Sequence, residues 1–138
     1  MTSSFPNSVV KAAARYNVLC VDDESGILEL VRRCLTDDRL ALTIAGSGSE
    51  ALSLTPDPGS LDLLITDEVM PGMEGHELAR RLRQANPNLK VLYLTGYADH
   101  LFDAKSQMWS SEAYLDKPFS VEGLRQAVAL LVVGKLSL

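Results

Sequence analysis

Residues 61–75, Leu61-Asp62-Leu63-Leu64-Ile65-Thr66-Asp67-Glu68-Val69-Met70-Pro71-Gly72-Met73-Glu74-Gly75, set an apolar run in front of an acidic pair, a Pro-Gly turn and the start of an amphipathic stretch. A short, nearly continuous apolar run closed by a turn signal reads as a strand buried on both faces, because a half-exposed strand alternates. The pattern recurs on both sides of this stretch. Strands are predicted at Val18–Val21, Leu40–Ala45, Leu61–Ile65, Lys90–Leu94 and Ala113–Leu115. Between the first two, Ile27, Leu30, Val31, Cys34 and Leu35 recur at helical spacing opposite Glu29, Arg32, Arg33 and Asp37. Further helices are predicted over Ser49–Leu54, Gly75–Gln84, Asp99–Trp109 and Ser120–Val133, the last with Leu124, Val128 and Leu131 on one face. Strand and helix in alternation give an α/β fold, a doubly wound (βα)5 arrangement with five parallel strands.

The ends of the runs carry the chemistry. Asp22-Asp23-Glu24 follows the first strand, Asp67-Glu68 the third, Thr95-Gly96 the fourth and Asp116-Lys117-Pro118 the fifth. In an open parallel sheet the carboxyl ends of the strands share one edge, so Asp22, Asp23, Asp67, Thr95 and Lys117 are predicted to converge across about 95 positions.

Composition fits one domain of residues 16–133 that needs no disulfide or structural metal: 138 residues, 46% hydrophobic and 22% charged. Residues 1–15, with little to pack, are predicted to be a flexible extension, and residues 134–138 a short tail. A net charge of −5, with no basic run longer than Arg32-Arg33 or Arg80-Arg81, argues against direct nucleic-acid binding. Cys20 and Cys34 lie in apolar patterns without a CxxC partner and read as reduced core residues of a cytoplasmic protein. No segment approaches the ~18 apolar residues of a membrane span, and the N-terminus lacks a basic start followed by a long apolar stretch.

Two adjacent acids where a helix begins can simply cap it. A third carboxylate in the same crevice changes the balance, since each pair ~4 Å apart repels by roughly 4 kcal/mol at an effective dielectric near 20. Lys117 supplies one compensating charge and a divalent ion two more. Oxygen ligands without a His/Cys cluster point to Mg²⁺, which typically takes one or two carboxylates, waters and phosphate oxygens.

Asp22-Asp23, Asp67 through Gly75, Thr95-Gly96 and Tyr114-Leu115-Asp116-Lys117-Pro118-Phe119 together resemble the receiver domain of two-component response regulators, over about residues 16–133. The resemblance implies a flavodoxin-like sheet of strand order 2-1-3-4-5. It implies that Asp67 is the phosphoacceptor, attacking a phosphohistidine to form an acyl phosphate, so that the chain is a signalling switch and not an enzyme of metabolism. Asp23 and Asp67, the backbone carbonyl of Val69 and, directly or through water, Asp22 are implied as Mg²⁺ ligands. Lys117 is implied to pair first with Asp67 and then with a phosphoryl oxygen, ahead of a cis bond to Pro118. Thr95 donates its hydroxyl to the phosphoryl group and Tyr114 turns inward with it, a coupling that displaces the fourth helix, fifth strand and fifth helix. The implied partners are a histidine kinase or histidine phosphotransfer protein and a downstream target that the sequence does not name. A phosphorylation-dependent homodimer through the last two helices stays open.

Some positions depart from the commonest spelling of the family. Glu68 adds a charge beside the acceptor, and strand alternation points its side chain away from Asp67, so no chemistry is assigned to it. Val69 and Tyr97 lie two residues past Asp67 and Thr95, where the family controls access of water, and suggest a shielded acyl phosphate. Ser110-Ser111 stand where many relatives have Gly. His76 and His100 read as helix-end residues, and Met70 and Met73 as packing for the turn. Leu101, Phe102 and Met108 read as core, with Trp109 as core or as the border of a partner surface. A flavodoxin-like electron carrier would want Ser, Thr and Gly where Asp22-Asp23-Glu24 stands, and a haloacid-dehalogenase-like phosphatase a second Asp at Val69. The stretches 67–75 and 93–97 also resemble receivers attached to hybrid histidine kinases, so stand-alone regulator and kinase fragment both remain open.

Overall fold

A computed structural model of the chain describes residues 15–96 and 111–133. Five strands form one parallel sheet in the order β2-β1-β3-β4-β5. They are β1 (Tyr16–Val21), β2 (Leu40–Ala45), β3 (Leu63–Asp67), β4 (Lys90–Thr95) and β5 (Glu112–Asp116). The described helices are α1 (Ser25–Cys34), α2 (Gly48–Ser53), α3 (Gly75–Arg83) and α4 (Val121–Val128), the last widening into a π turn over Ala129–Val133. The helix expected over Asp99–Trp109 lies outside the described residues, as do His100, Tyr97 and Ser110.

The core has two layers because strand side chains alternate. Val18, Cys20, Leu63, Ile65, Leu92 and Leu94 pack under α1 and α4, against Leu28, Val31, Leu124 and Val128. Leu19, Val21, Leu64, Val91 and Tyr93 face the opposite way, against Ala51 of α2 and Leu78, Ala79 and Leu82 of α3. Each fully buried leucine of this kind contributes roughly 1.5–3 kcal/mol. Both faces of the central strands are consumed, and only the strand ends are left for chemistry.

Two expectations shift. The third strand runs Leu63–Asp67, not Leu61–Ile65. Pro58–Ser60 form a 3₁₀ turn, and the Asp62 carboxylate is spent on the backbone N–H of Asn17 at 2.8 Å, so Leu61 and Asp62 lead into the strand. Thr66 and Asp67 are ladder residues, opposite Tyr93 and Leu94. On α1 the buried stripe passes through Leu28, Val31 and Cys34, leaving Leu30 37% exposed although its spacing from Ile27 marked it as core.

Helix starts follow local chemistry. Ser47 caps α2 by accepting from the Glu50 backbone N–H at 3.1 Å, while the Glu50 carboxylate reaches back to the N–H of Gly46 at 2.6 Å. Ser120 caps α4 by accepting from the Gly123 N–H at 2.9 Å. No helix among the described residues is long and apolar enough to cross a membrane.

Candidate functional site

Three acids meet at the carboxyl edge of the sheet. Asp22 follows β1, Asp67 ends β3, and Asp23 stands beside Asp22; each offers a carboxylate oxygen within 4.8 Å of the others. Asp22 is fully buried, and its Oδ1 accepts from the Glu24 backbone N–H at 2.9 Å. Asp23 faces solvent. Asp67 is 8% exposed and accepts from the backbone N–H of Val69 just beyond it.

Lys117 enters from the far end of the sheet. Its Nζ donates to Asp22 Oδ2 at 2.9 Å and lies 3.4 Å from Asp67 Oδ2 and 3.8 Å from Glu24 Oε1. The backbone sets that reach: the Lys117 N–H donates to the carbonyl of Thr95 at 2.7 Å, and the Lys117–Pro118 peptide is cis. One ammonium thus lies within 4 Å of Asp22, Asp67 and Glu24, with Asp23 next to Asp22, an arrangement still deficient in positive charge.

The electrostatics follow. Burial lifts the Asp67 carboxyl above its ordinary range, the Asp22 charge lifts it further, and Lys117 and the Val69 N–H oppose them incompletely. For Lys117, burial favours the neutral amine, but the Asp22 hydrogen bond and the charges of Asp22, Asp67 and Glu24 outweigh it and raise its pKa. Cys20, beneath the site, is pushed up to about 12 by burial and by Asp22, so its thiol is protonated and inert.

The remaining residues ring this cluster. Thr95 ends β4 one strand out from Asp67 and is 1% exposed. Tyr114 in β5 is half-buried and stacks on Tyr93, with ring centroids 5.2 Å apart and planes 17° apart. The Val69 side chain is exposed. Met70 is buried, and Met73 fills the space where a Cβ on Gly48 would sit, so both pack the turn.

The sequence reading missed what lies under that turn. Glu68 does point away from Asp67, yet it is 5% exposed and its Oε2 lies 2.6 Å from His76 Nδ1 at the start of α3. His76 in turn lies 5.9 Å from the ring of Tyr93. At the other end of α3, Arg83 Nη1 donates to Glu112 Oε2 at 2.7 Å. The available signal was an acid in an apolar strand end eight residues before a histidine at a helix start.

A family model described as a response regulator receiver domain matches residues 18–129. Over 112 residues the chain is 34% identical to the sensor kinase CckA of Brucella abortus, covering 80% of this chain and 12% of that protein. It is 30% identical over 118 residues to the response regulator receiver protein CpdR of the same organism, covering 85% of this chain and 97% of CpdR. A response regulator receiver domain protein from Clostridium thermocellum, of known crystal structure, superposes with a TM-score of 0.73 at 29% identity, over 86% of this chain and 95% of that one. The chain therefore spans a small part of some curated relatives and nearly all of others.

Proposed function

The chain belongs to the response regulator receiver domain family, and on that premise we propose that Asp67 accepts a phosphoryl group from a phosphohistidine and that the chain signals by the change this causes. The observation that carries the reading is the gathering of Asp22, Asp23 and Asp67 within 4.8 Å of one another, with the Lys117 ammonium against Asp22 and Asp67. Three carboxylates and one lysine make an oxygen-only, charge-deficient pocket, and that donor set fits Mg²⁺. Asp22, Asp23 and Asp67, with the backbone carbonyl of Val69, would hold the ion. When bound it neutralises charge on the transferring phosphoryl oxygens.

The chain's own residues do the rest. An Asp67 carboxylate oxygen attacks phosphorus, the P–N bond to the donor imidazole breaks, and the donor leaves as neutral histidine after taking up a proton. No proton need leave Asp67, because the carboxylate is already the nucleophile. Lys117, held 3.4 Å from Asp67 and 2.9 Å from Asp22, is placed to transfer its contact to a phosphoryl oxygen. The acyl phosphate carries roughly −1.5 to −2 where the carboxylate carried −1, and groups that close around it gain by the difference. Thr95 at the end of β4 supplies the hydroxyl, and Tyr114 follows it. The partners are a histidine kinase or phosphotransfer protein upstream and a protein target downstream, in the cytoplasm.

Incubation with Mg²⁺ and acetyl phosphate, followed by intact mass, tests the reading. A phosphoryl mass that requires Mg²⁺ and disappears in Asp67→Asn is expected. A persistent absence of modification, with a cognate phosphohistidine donor as well, leaves a protein-interaction module instead.

A further inference from the structure

A carboxylate is seldom buried unless it is paired, and Glu68 is paired on one oxygen only. Its Oε2 meets His76 Nδ1 at 2.6 Å, while its Oε1 is closed off from solvent without a hydrogen-bond partner among the described residues. The hydroxyl of Tyr114 is in the same condition. An unmade acceptor and an unmade donor, both desolvated, each penalise the arrangement that contains them.

The two groups lie on one face of the sheet. Thr66, Tyr93 and Tyr114 stand in one register row, and Glu68, two residues past Thr66, shares their side. Tyr93 separates them, stacked on Tyr114 and next to His76. Strands β3 and β5 are about 10 Å apart, within the joint reach of a tyrosine and a glutamate side chain. Charge on Glu68 also contributes to the raised pKa of Tyr114, behind burial and Glu112.

We propose that Glu68 is a positioning residue of the switch: with Asp67 phosphorylated, Tyr114 moves across the edge of Tyr93 and its hydroxyl donates to Glu68 Oε1. The inference rests on the phosphoacceptor reading above. His76 holds Oε2 and so restricts how Glu68 can turn, leaving Oε1 to take the new donor. The two unmade bonds are satisfied together in the switched arrangement, so this pair biases the equilibrium toward it.

The test is a double-mutant cycle on the affinity of the Mg²⁺-loaded protein for beryllofluoride, a mimic of the phosphoryl group. Tyr114→Phe and Glu68→Met are each expected to weaken binding about five- to tenfold, the double variant no more than either alone, and Glu68→Gln, which keeps a carbonyl acceptor, to recover part of the loss. Beryllofluoride should also move the Glu68 carboxylate ¹³C resonance in the wild type and not in Tyr114→Phe, a readout that needs no Glu68 variant to fold. Losses that multiply in the double variant, or a resonance that moves equally in both proteins, overturn the proposal. Wild-type protein that binds no beryllofluoride overturns the phosphoacceptor reading itself, and this inference with it.

Discussion

Asp67 occupies a place where its own charge is unfavourable, and that condition can be measured. Its carboxyl is raised by burial and by Asp22 beyond what Lys117 restores. A carboxyl whose folded pKa exceeds its unfolded one contributes stability that is fully present below the ordinary value of 3.8 and lost as pH rises through the raised value. Asp67→Asn, freed from that titration, should match the wild type near the acid end and gain on it above pH 4 in the absence of divalent ions. By neutral pH the variant should melt at the higher temperature. Thermal melts of both proteins from pH 4 to 8 check this; parallel curves would show that the Asp67 charge is already balanced. Removing Lys117 has the opposite effect at neutral pH. Its raised pKa keeps its contribution complete through neutral pH, to be lost only above the ordinary 10.5. Lys117→Ala leaves the fully buried Asp22 facing Asp67 without a cation, and should lower stability at pH 7 by about 2–3 kcal/mol in a denaturant titration.

Among the described elements, α3 packs closest on the backbone of Asp67. The Gly75 N–H donates to the Glu68 carbonyl at 3.0 Å, and a Cβ on Gly75 would fall 2.3 Å from the Asp67 carbonyl oxygen and 3.0 Å from Thr66 Cγ2. That oxygen is backbone of β3 and cannot yield without moving Asp67. Gly75→Ala is therefore expected to destabilise by about 2–4 kcal/mol and to slow phosphorylation, whereas Gly26→Ala in α1, with nothing within 4 Å, should stabilise by about 0.5 kcal/mol through helix propensity. Urea unfolding of the two variants checks the opposed signs; equal effects would mean that α3 can back away from the strand. The spacing rules behind the sequence reading located α3 and could not reveal this contact. They gave the apolar stripe of α1 one member too many in Leu30, because a 3.6-residue period fixes a stripe only to within about one residue. They also placed β3 two residues early, because Leu61 is apolar without being in the ladder.

At the scale of the molecule, the site was readable because a parallel sheet buries everything except its strand ends. A buried strand cannot hide an acid, so Asp22, Asp67 and Lys117 marked the edge from sequence alone, and Lys117 does reach Asp22 across 95 positions. The Glu68–His76 contact was marked only by spacing and could not be fixed from it, since it depends on how the turn through Pro71 and Gly72 brings the first turn of α3 back over β3. The same edge concentrates negative charge on a chain already at −5, so occupation of the site should register as global stability. An ion that binds only the folded form stabilises by RT ln(1 + [L]/Kd), about 1.4 kcal/mol at ten times Kd, and should raise Tm by roughly 4–7 °C. On the proposed site Asp23 and Asp67 would each give the ion a carboxylate, so Asp23→Asn and Asp67→Asn should each lose most of that rise. Screening alone would give the same rise with KCl at matched ionic strength, and would give it to the variants too. Magnesium titrations monitored by melting, with KCl as the matched control, therefore separate a bound ion from a screened pocket.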